Sequence, residues 1–273
     1  MAARAMSSGT ISFGLVSIPV KLFHAVNRKT VSFNQLDDRS MSRIKLRKVS
    51  ADTGEEVPEE HIVRGYEIAK GSYVQVDPDE LEALLPSATR AIEIDDFVEL
   101  VSIDPVYFDT AYHLAPDQVT KPYALLARAL EAAGRVGIAR LVMRNKQYLA
   151  AIRARDGILE LSTMVWADEV VAPAAIDELR GIAEVEVSDR EMAMAAQLVE
   201  SLSADFEPER YRDSYREELL DLIHRKADGE DLVRPAAAEA MPAVVDLMAA
   251  LEASVKAAKQ SREHHPTGIA QTA

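Results

Sequence analysis

The sequence predicts an α+β chain, strand-rich in its first two-thirds and helical in its last third. Three observations carry this expectation. Apolar and polar residues alternate at period two in short runs up to about residue 165, which is the pattern of half-buried strands. From residue 188 onward the apolar spacing becomes that of amphipathic helices. Helix-start and turn residues fall where the pattern changes. At 273 residues and 48% apolar content, the chain can bury the core of one large domain with an appendage, or of two domains.

In chain order, Ile11, Phe13 and Leu15 alternate with Ser12 and Gly14, and Pro19 punctuates before a strand at 20–23. Residues 43–48, Arg-Ile-Lys-Leu-Arg-Lys, alternate strictly between basic and apolar. A strand there places Arg43, Lys45 and Arg47 on one face and Ile44 and Leu46 on the other. Such a strand is either a solvated edge guarded by cations or a row of cations offered to a phosphate backbone. Residues 72–76 read as a strand, followed by a short helix with Asp77 as cap, Pro78 in its first turn, Glu80 completing a capping box and Pro86 as its stop. Strands are expected around 90–101 and 110–114, then a helix over 122–133 with Leu125, Leu126 and Leu130, ended by Gly134. Three consecutive strands at 136–143, 147–153 and 158–165 are joined by Arg144-Asn145-Lys146 and Arg155-Asp156-Gly157, both with turn chemistry.

Ser188 and Glu191 form a capping box for a helix to about Leu202. A second helix spans about 212–227, with Leu219, Leu220 and Ile223 inside and Gly229 closing it. The organisation expected is a strand-rich core over 1–187, a helical arm over 188–229, a Pro/Ala linker over 230–241, a helix over 242–262 and a disordered tail over 263–273. The 242–262 helix carries Val244, Leu247, Met248, Leu251, Val255 and Ala258 on one stripe. An isolated helix of this length is marginal in water, so its stripe is expected to dock, either on its own domain or on a partner.

The net charge of −14 conceals opposite blocks: +7 over residues 1–50, −14 over 51–120, +5 over 121–160 and −12 over 161–273. Charges beyond roughly 8–10 Å are screened at physiological salt, so an acidic protein can still hold a polyanion on a basic surface. Arg140, Arg144, Lys146, Arg153 and Arg155 form a second basic cluster within the predicted three-strand meander. Enzymatic signatures are missing: no phosphate-binding Gly-rich loop, no dinucleotide fingerprint, no nucleophile elbow and no His-Glu-x-x-His. The chain has no cysteine, its six histidines are scattered apart from His264-His265, and acidic pairs such as Asp95-Asp96 point to opposite faces. No catalytic residues, cofactor or metal site are therefore expected. No apolar run reaches the ~18–20 residues of a membrane span, and the N-terminus lacks a continuous apolar core, so a cytoplasmic chain without membrane contact is expected.

The segment from Asp205 to Gly229, DFEPERYRDSYREELLDLIHRKADG, closely resembles the signature of bacterial Ku proteins. The opening GTISFGLVSIPVKL from Gly9 is similar to the same family, as are YALLARAL from Tyr123 and LVMRNKQYLAAIR from Leu141. The likeness runs in order over about residues 8–258. It implies a β-barrel core with an extended bridge, two of which close a ring around duplex DNA, and a helical C-terminal region. It further implies a nucleoid-associated homodimer that binds double-stranded DNA ends through sugar and phosphate and recruits DNA ligase D in non-homologous end joining. The candidate phosphate contacts are Lys21, Arg43, Lys45, Arg47, Lys48, Arg140, Arg144, Lys146, Arg153 and Arg155, of which about half are expected to touch DNA and the rest to be outer-surface cations or local salt bridges. The stripe Leu247, Met248, Leu251 and Val255 matches the part that engages the ligase in the family.

Two departures stand out. Several relatives carry Cys-x-x-Cys after the basic strand, where this chain has Ser50 and Thr53, so no zinc is expected at that turn. Many relatives end in a lysine-rich extension, whereas only Lys256, Lys259 and Arg262 follow Pro235 here. The alternative from another class is a protein-interaction scaffold with weakened DNA binding, which the pI of about 4.9 favours.

Overall fold

A computed structural model of the protein describes residues 4–84, 91–143, 145–229 and 247–264. The chain divides into two compact units, Met1–Ala172 and Pro173–Ala273. In chain order the elements are β1 (Ser7–Phe13), β2 (Val16–His24), β3 (Arg64–Ala69), β4 (Ser72–Val76), α1 (Pro78–Ala83), β5 (Ala91–Glu99), β6 (Phe108–Pro116), α2 (Thr120–Ala133), β7 (Arg135–Met143), β8 (Lys146–Arg155), β9 (Ile158–Met164), α3 (Asp189–Leu202), α4 (Ser214–Ala227) and α5 (Leu247–His264).

Period-two patterning does its work in the first unit, where seven strands close a barrel in the order β1-β2-β6-β9-β8-β7-β5. Every neighbouring pair is antiparallel except the closing seam, where β1 and β5 run parallel with Ile11 opposite Ile92. Alternate residues point inward, so Ile11, Ile18, Val20, Leu22, Ile92, Leu114, Ile152, Leu159 and Leu161 fill one buried cluster. Helix α2 adds Tyr123, Leu126, Ala127 and Leu130 to the same cluster. Gly134, in the left-handed region at φ 59°, ends it as the sequence predicts. The Tyr123 hydroxyl donates to the Leu114 carbonyl at 2.6 Å and accepts from the Leu159 amide at 2.8 Å, bridging β6 and β9. Glu131 accepts from the Gly157 amide at 2.8 Å, which ties α2 to the β8–β9 turn.

At the opposite end the barrel is open. A cavity of about 410 Å³ lies there, lined by Met6, Leu22, Ile92, Tyr112, Met143 and Tyr148 among others. Register shows what else happens at this rim. Leu22 near the end of β2 pairs with Ser7, and Ala91 at the start of β5 pairs with Thr10. The chain between β2 and β5 therefore leaves from and returns to the same rim, one strand apart. This excursion holds the hairpin β3–β4, a separate two-stranded sheet.

Most expected elements form, and several differ. Strand β2 runs through Pro19 rather than starting after it. The ladder with β6 ends at Val20↔Pro116, so the missing N–H removes no ladder bond. Residues 43–48 do not form a ladder strand. They join two tight loops, closed by the bridges Leu36↔Arg43 and Val49↔Glu56, and take part in no ladder among the described residues. Strand β3 was not among the expected strands: within 64–69 only Tyr66, Glu67 and Ile68 alternate between apolar and polar, too short a run to mark a strand by itself. It forms by pairing with β4, and Gly65 leaves the space that the Tyr73 ring occupies.

The second unit opens with short 3-10 turns at 173–175, 177–179 and 182–184, which no periodicity announces. Then α3 starts at the Ser188–Glu191 capping box, with the Glu191 amide donating to Ser188 Oγ at 3.3 Å. Helix α4 begins at Ser214, two residues later than expected, because Asp213 caps it by accepting from the Arg216 amide at 3.0 Å. The expected linker over 230–241, the start of the last helix at 242–246 and most of the expected tail lie outside the described residues. The described part of α5 packs against α3.

Candidate nucleic-acid interface

The ten candidate cations separate into two groups by the element that carries them. On the barrel, Lys21, Arg140, Arg153 and Arg155 sit on strand positions whose neighbours fill the core, so they face outward. Three of them meet a carboxylate across the sheet. Lys21 Nζ lies 2.9 Å from Asp117, and Arg153 lies 2.6 Å from its cross-strand neighbour Glu160. Arg140 makes a two-pronged pair with Asp95, both N–H groups at 2.8 Å. That fork holds the Asp95 carboxyl below its ordinary 3.8 and raises the Arg140 guanidinium above its own usual value. Arg155 lies 3.6 Å from Asp156. Lys146 stands over the Tyr148 ring, 5.3 Å from its centre, at the cavity rim. Arg144 lies outside the described residues.

The excursion carries the other group. Arg47 pairs with Glu56 and Lys48 with Glu59, each at 3.2 Å and each well exposed, so these pairs are weak and exchangeable. Arg43 and Lys45 are exposed and have no carboxylate partner among the described residues. The same holds for Arg28 and Lys29 at the root of the excursion and for Arg64 at the start of β3. These three were not singled out from the sequence, although Arg28 and Lys29 belong to its +7 block. The turn after the basic run needs no metal to close it. Ser50 Oγ accepts from the Asp52 amide at 3.3 Å, Thr53 Oγ1 accepts from the Glu55 amide at 3.3 Å, and Gly54 takes φ 71°. Among the described residues no group of three or more His, Asp or Glu is placed to hold a metal ion.

The excursion also exposes apolar side chains that a buried surface would normally hold. Leu46 is 91% exposed, Phe33 71% and Tyr66 70%, with Ile44, Ile68 and Val74 also uncovered. On the hairpin, Tyr66 and Ile68 share a face with Val74, the partner of Tyr66. Two strands with one uncovered apolar face are marginal on their own in water.

Of the expected partner-binding stripe, Val255 is buried and Met248 and Leu251 are half-buried on α5. Leu247 begins the helix.

This arrangement defines a class: a closed barrel carrying a long two-footed excursion whose free cations and open apolar face are turned to something outside the barrel. Similarity to known proteins is consistent with it. The family model described as the Ku70/Ku80 beta-barrel domain matches residues 12–194. The non-homologous end joining protein Ku of Anaeromyxobacter sp. (strain K) is 49% identical over 266 residues, covering 96% of this chain and 88% of that protein. The protein of the same description from Heliobacterium modesticaldum is 38% identical, covering 97% of each. That of Symbiobacterium thermophilum is 45% identical, and there the chain spans 65% of the relative's length. The chain belongs to the bacterial Ku family.

Proposed function

We propose that two copies of the chain close a ring around duplex DNA at its end, bind it without base readout, and recruit DNA ligase D through α5. The observation that carries this reading is the excursion itself. Its unpaired Arg43 and Lys45 offer charge to phosphates, and its uncovered hairpin face needs a second protein surface. A second copy supplies both a cover for the hairpin and a closed path around the duplex. A closed ring is loaded only where the duplex has an end, so topology supplies end selectivity and cations supply affinity. The acidic remainder faces away from the duplex and opposes wrapping on the outside. No helix of the described residues is long and apolar enough to cross a membrane, and the proposed site of action is the cytoplasm, at the nucleoid.

The test is a gel shift of linear duplex against the same DNA as a covalently closed circle, over a salt series. Binding to the linear form alone, with log K falling against log salt at about −0.9 per neutralised phosphate, is the expected result. Equal binding to both forms would break the ring reading and leave plain electrostatic adhesion. A second reading, an interaction scaffold with weakened DNA binding, draws on the carboxylates held by Lys21, Arg140 and Arg153. It predicts no binding to either form at moderate salt.

A further inference from the structure

Helix α5 has one apolar stripe, and in this structure the stripe is in use. Met248, Leu251 and Val255 recur at helical spacing, and α5 packs on α3. Val255, 7% exposed, is the only buried side chain among the residues after 172 whose burial is described. On α3 the half-buried residues are Glu191, Met194, Ala195, Leu198 and Ser201, which is again a single stripe. One ion pair spans the helices, Arg190 Nη2 to Glu252 Oε1 at 3.4 Å, with both side chains mostly exposed. Among the residues whose burial is described, the contact holds one buried side chain, a half-buried stripe on each helix and one exposed charge pair. Contacts of this kind belong to the low-stability end of a structure, where local opening is frequent.

We infer that the α3–α5 pairing is a reversible latch that masks the ligase-binding stripe of α5. The inference rests on the proposed role of that stripe. Met248, Leu251 and Val255 cannot pack on α3 and in a partner's groove together, so partner binding is linked to opening. The apparent affinity of the partner is lowered by the fraction of time that the latch is closed. Whatever destabilises α3–α5 while leaving the α5 face intact therefore tightens partner binding. This is the opposite of what a fixed scaffold for docking would do.

The experiment uses the full-length chain, with substitutions that open the latch from the α3 side alone. Arg190→Glu places like charges across the contact, and Leu198→Asp puts a charge into its apolar strip. Hydrogen exchange over 247–257 reads the latch directly, and titration with purified DNA ligase D reads its consequence. Expected are faster exchange in both variants and ligase binding tightened about two- to fivefold by Arg190→Glu, the range of an exposed charge pair. The exchanged pair Arg190→Glu with Glu252→Arg is expected to return both readouts toward the parent. Faster exchange with unchanged or weaker ligase binding would overturn the latch and make the α3–α5 pair itself the docking unit. Exchange unaffected by either substitution would overturn it too. A control on the other helix, Leu251→Asp, separates the two levels. If it leaves ligase binding unchanged, the proposed role of α5 fails and the latch with it; if it weakens binding while Arg190→Glu has no effect, the latch alone fails.

Discussion

Arg43 and Lys45 differ from Arg153 in what surrounds them rather than in what they are. Arg153 is matched by Glu160 at 2.6 Å, whereas Arg43 and Lys45 on the excursion have no carboxylate partner among the described residues. A cation already paired must give up its partner to meet a phosphate, so its net gain from DNA is small. Arg43→Ala and Lys45→Ala are therefore each expected to weaken DNA binding about equally for all sequences and to reduce the salt slope by about 1. Arg153→Ala should leave that slope unchanged; filter binding at several salt concentrations measures both. This is also where the sequence runs short at the site. It showed which regions are basic, but pairing depends on partners such as Asp95 for Arg140 and Asp117 for Lys21, which strand register brings together across the sheet. Neither the alternation of 43–48 nor the charge blocks contain that register.

Among the elements, legibility follows from how local the cause is. The capping boxes at Asp77 and Ser188, the Gly134 stop and the turn at Asp156 and Gly157 are written in neighbouring residues, and the structure has them where expected. The strand expected at 43–48 failed because alternation describes a face, whereas a strand needs a neighbour. Strand β3 escaped notice for the complementary reason, since it depends on pairing with β4 more than on its own pattern. Helix α2 shows what the sequence alone hides within a correctly expected element. Its Tyr123 hydroxyl bonds to β6 and β9, and burial raises its pKa above the ordinary 10.0. A raised acid pKa means that the neutral form is favoured by folding. The associated stability is present below pH 10 and is lost as pH rises through the folded value. Tyr123→Phe strands the Leu159 amide and the Leu114 carbonyl, and is expected to destabilise the protein by about 1–3 kcal/mol in denaturant unfolding. It should also remove part of the alkaline loss of stability.

For the whole molecule, the net charge of −14 and the proposed DNA grip are reconciled by segregation along the chain: residues 1–50 carry +7 and 121–160 carry +5, while 51–120 carry −14 and 161–273 carry −12. In the proposed ring the hairpin face is the assembly surface. Placing a charge at its centre, by Tyr66→Asp with Ile68→Asp, is expected to convert a dimer to a monomer in light scattering. Retention of linear DNA in the gel shift should fall with it, while the barrel's thermal unfolding stays near that of the parent. A dimer that survives the double substitution would move the assembly surface elsewhere. The α+β division was legible from periodicity, whereas the barrel core with its extended bridge was expected only from the family resemblance, because closure depends on β1 meeting β5.

That seam has a consequence in time. Antiparallel neighbours such as β7 and β8 meet across a short turn, but Ile11 can find Ile92 only after everything between them has been looped out. Loop closure of this span is penalised by entropy that grows only as the logarithm of its length. Sequence-distant pairing nevertheless slows folding strongly. The last stave of the barrel therefore sets late, after the β7–β8–β9 meander. Until it does, two unpaired strand edges stand open beside a sticky hairpin, and a nascent chain is most vulnerable to mispairing with its neighbours in that interval.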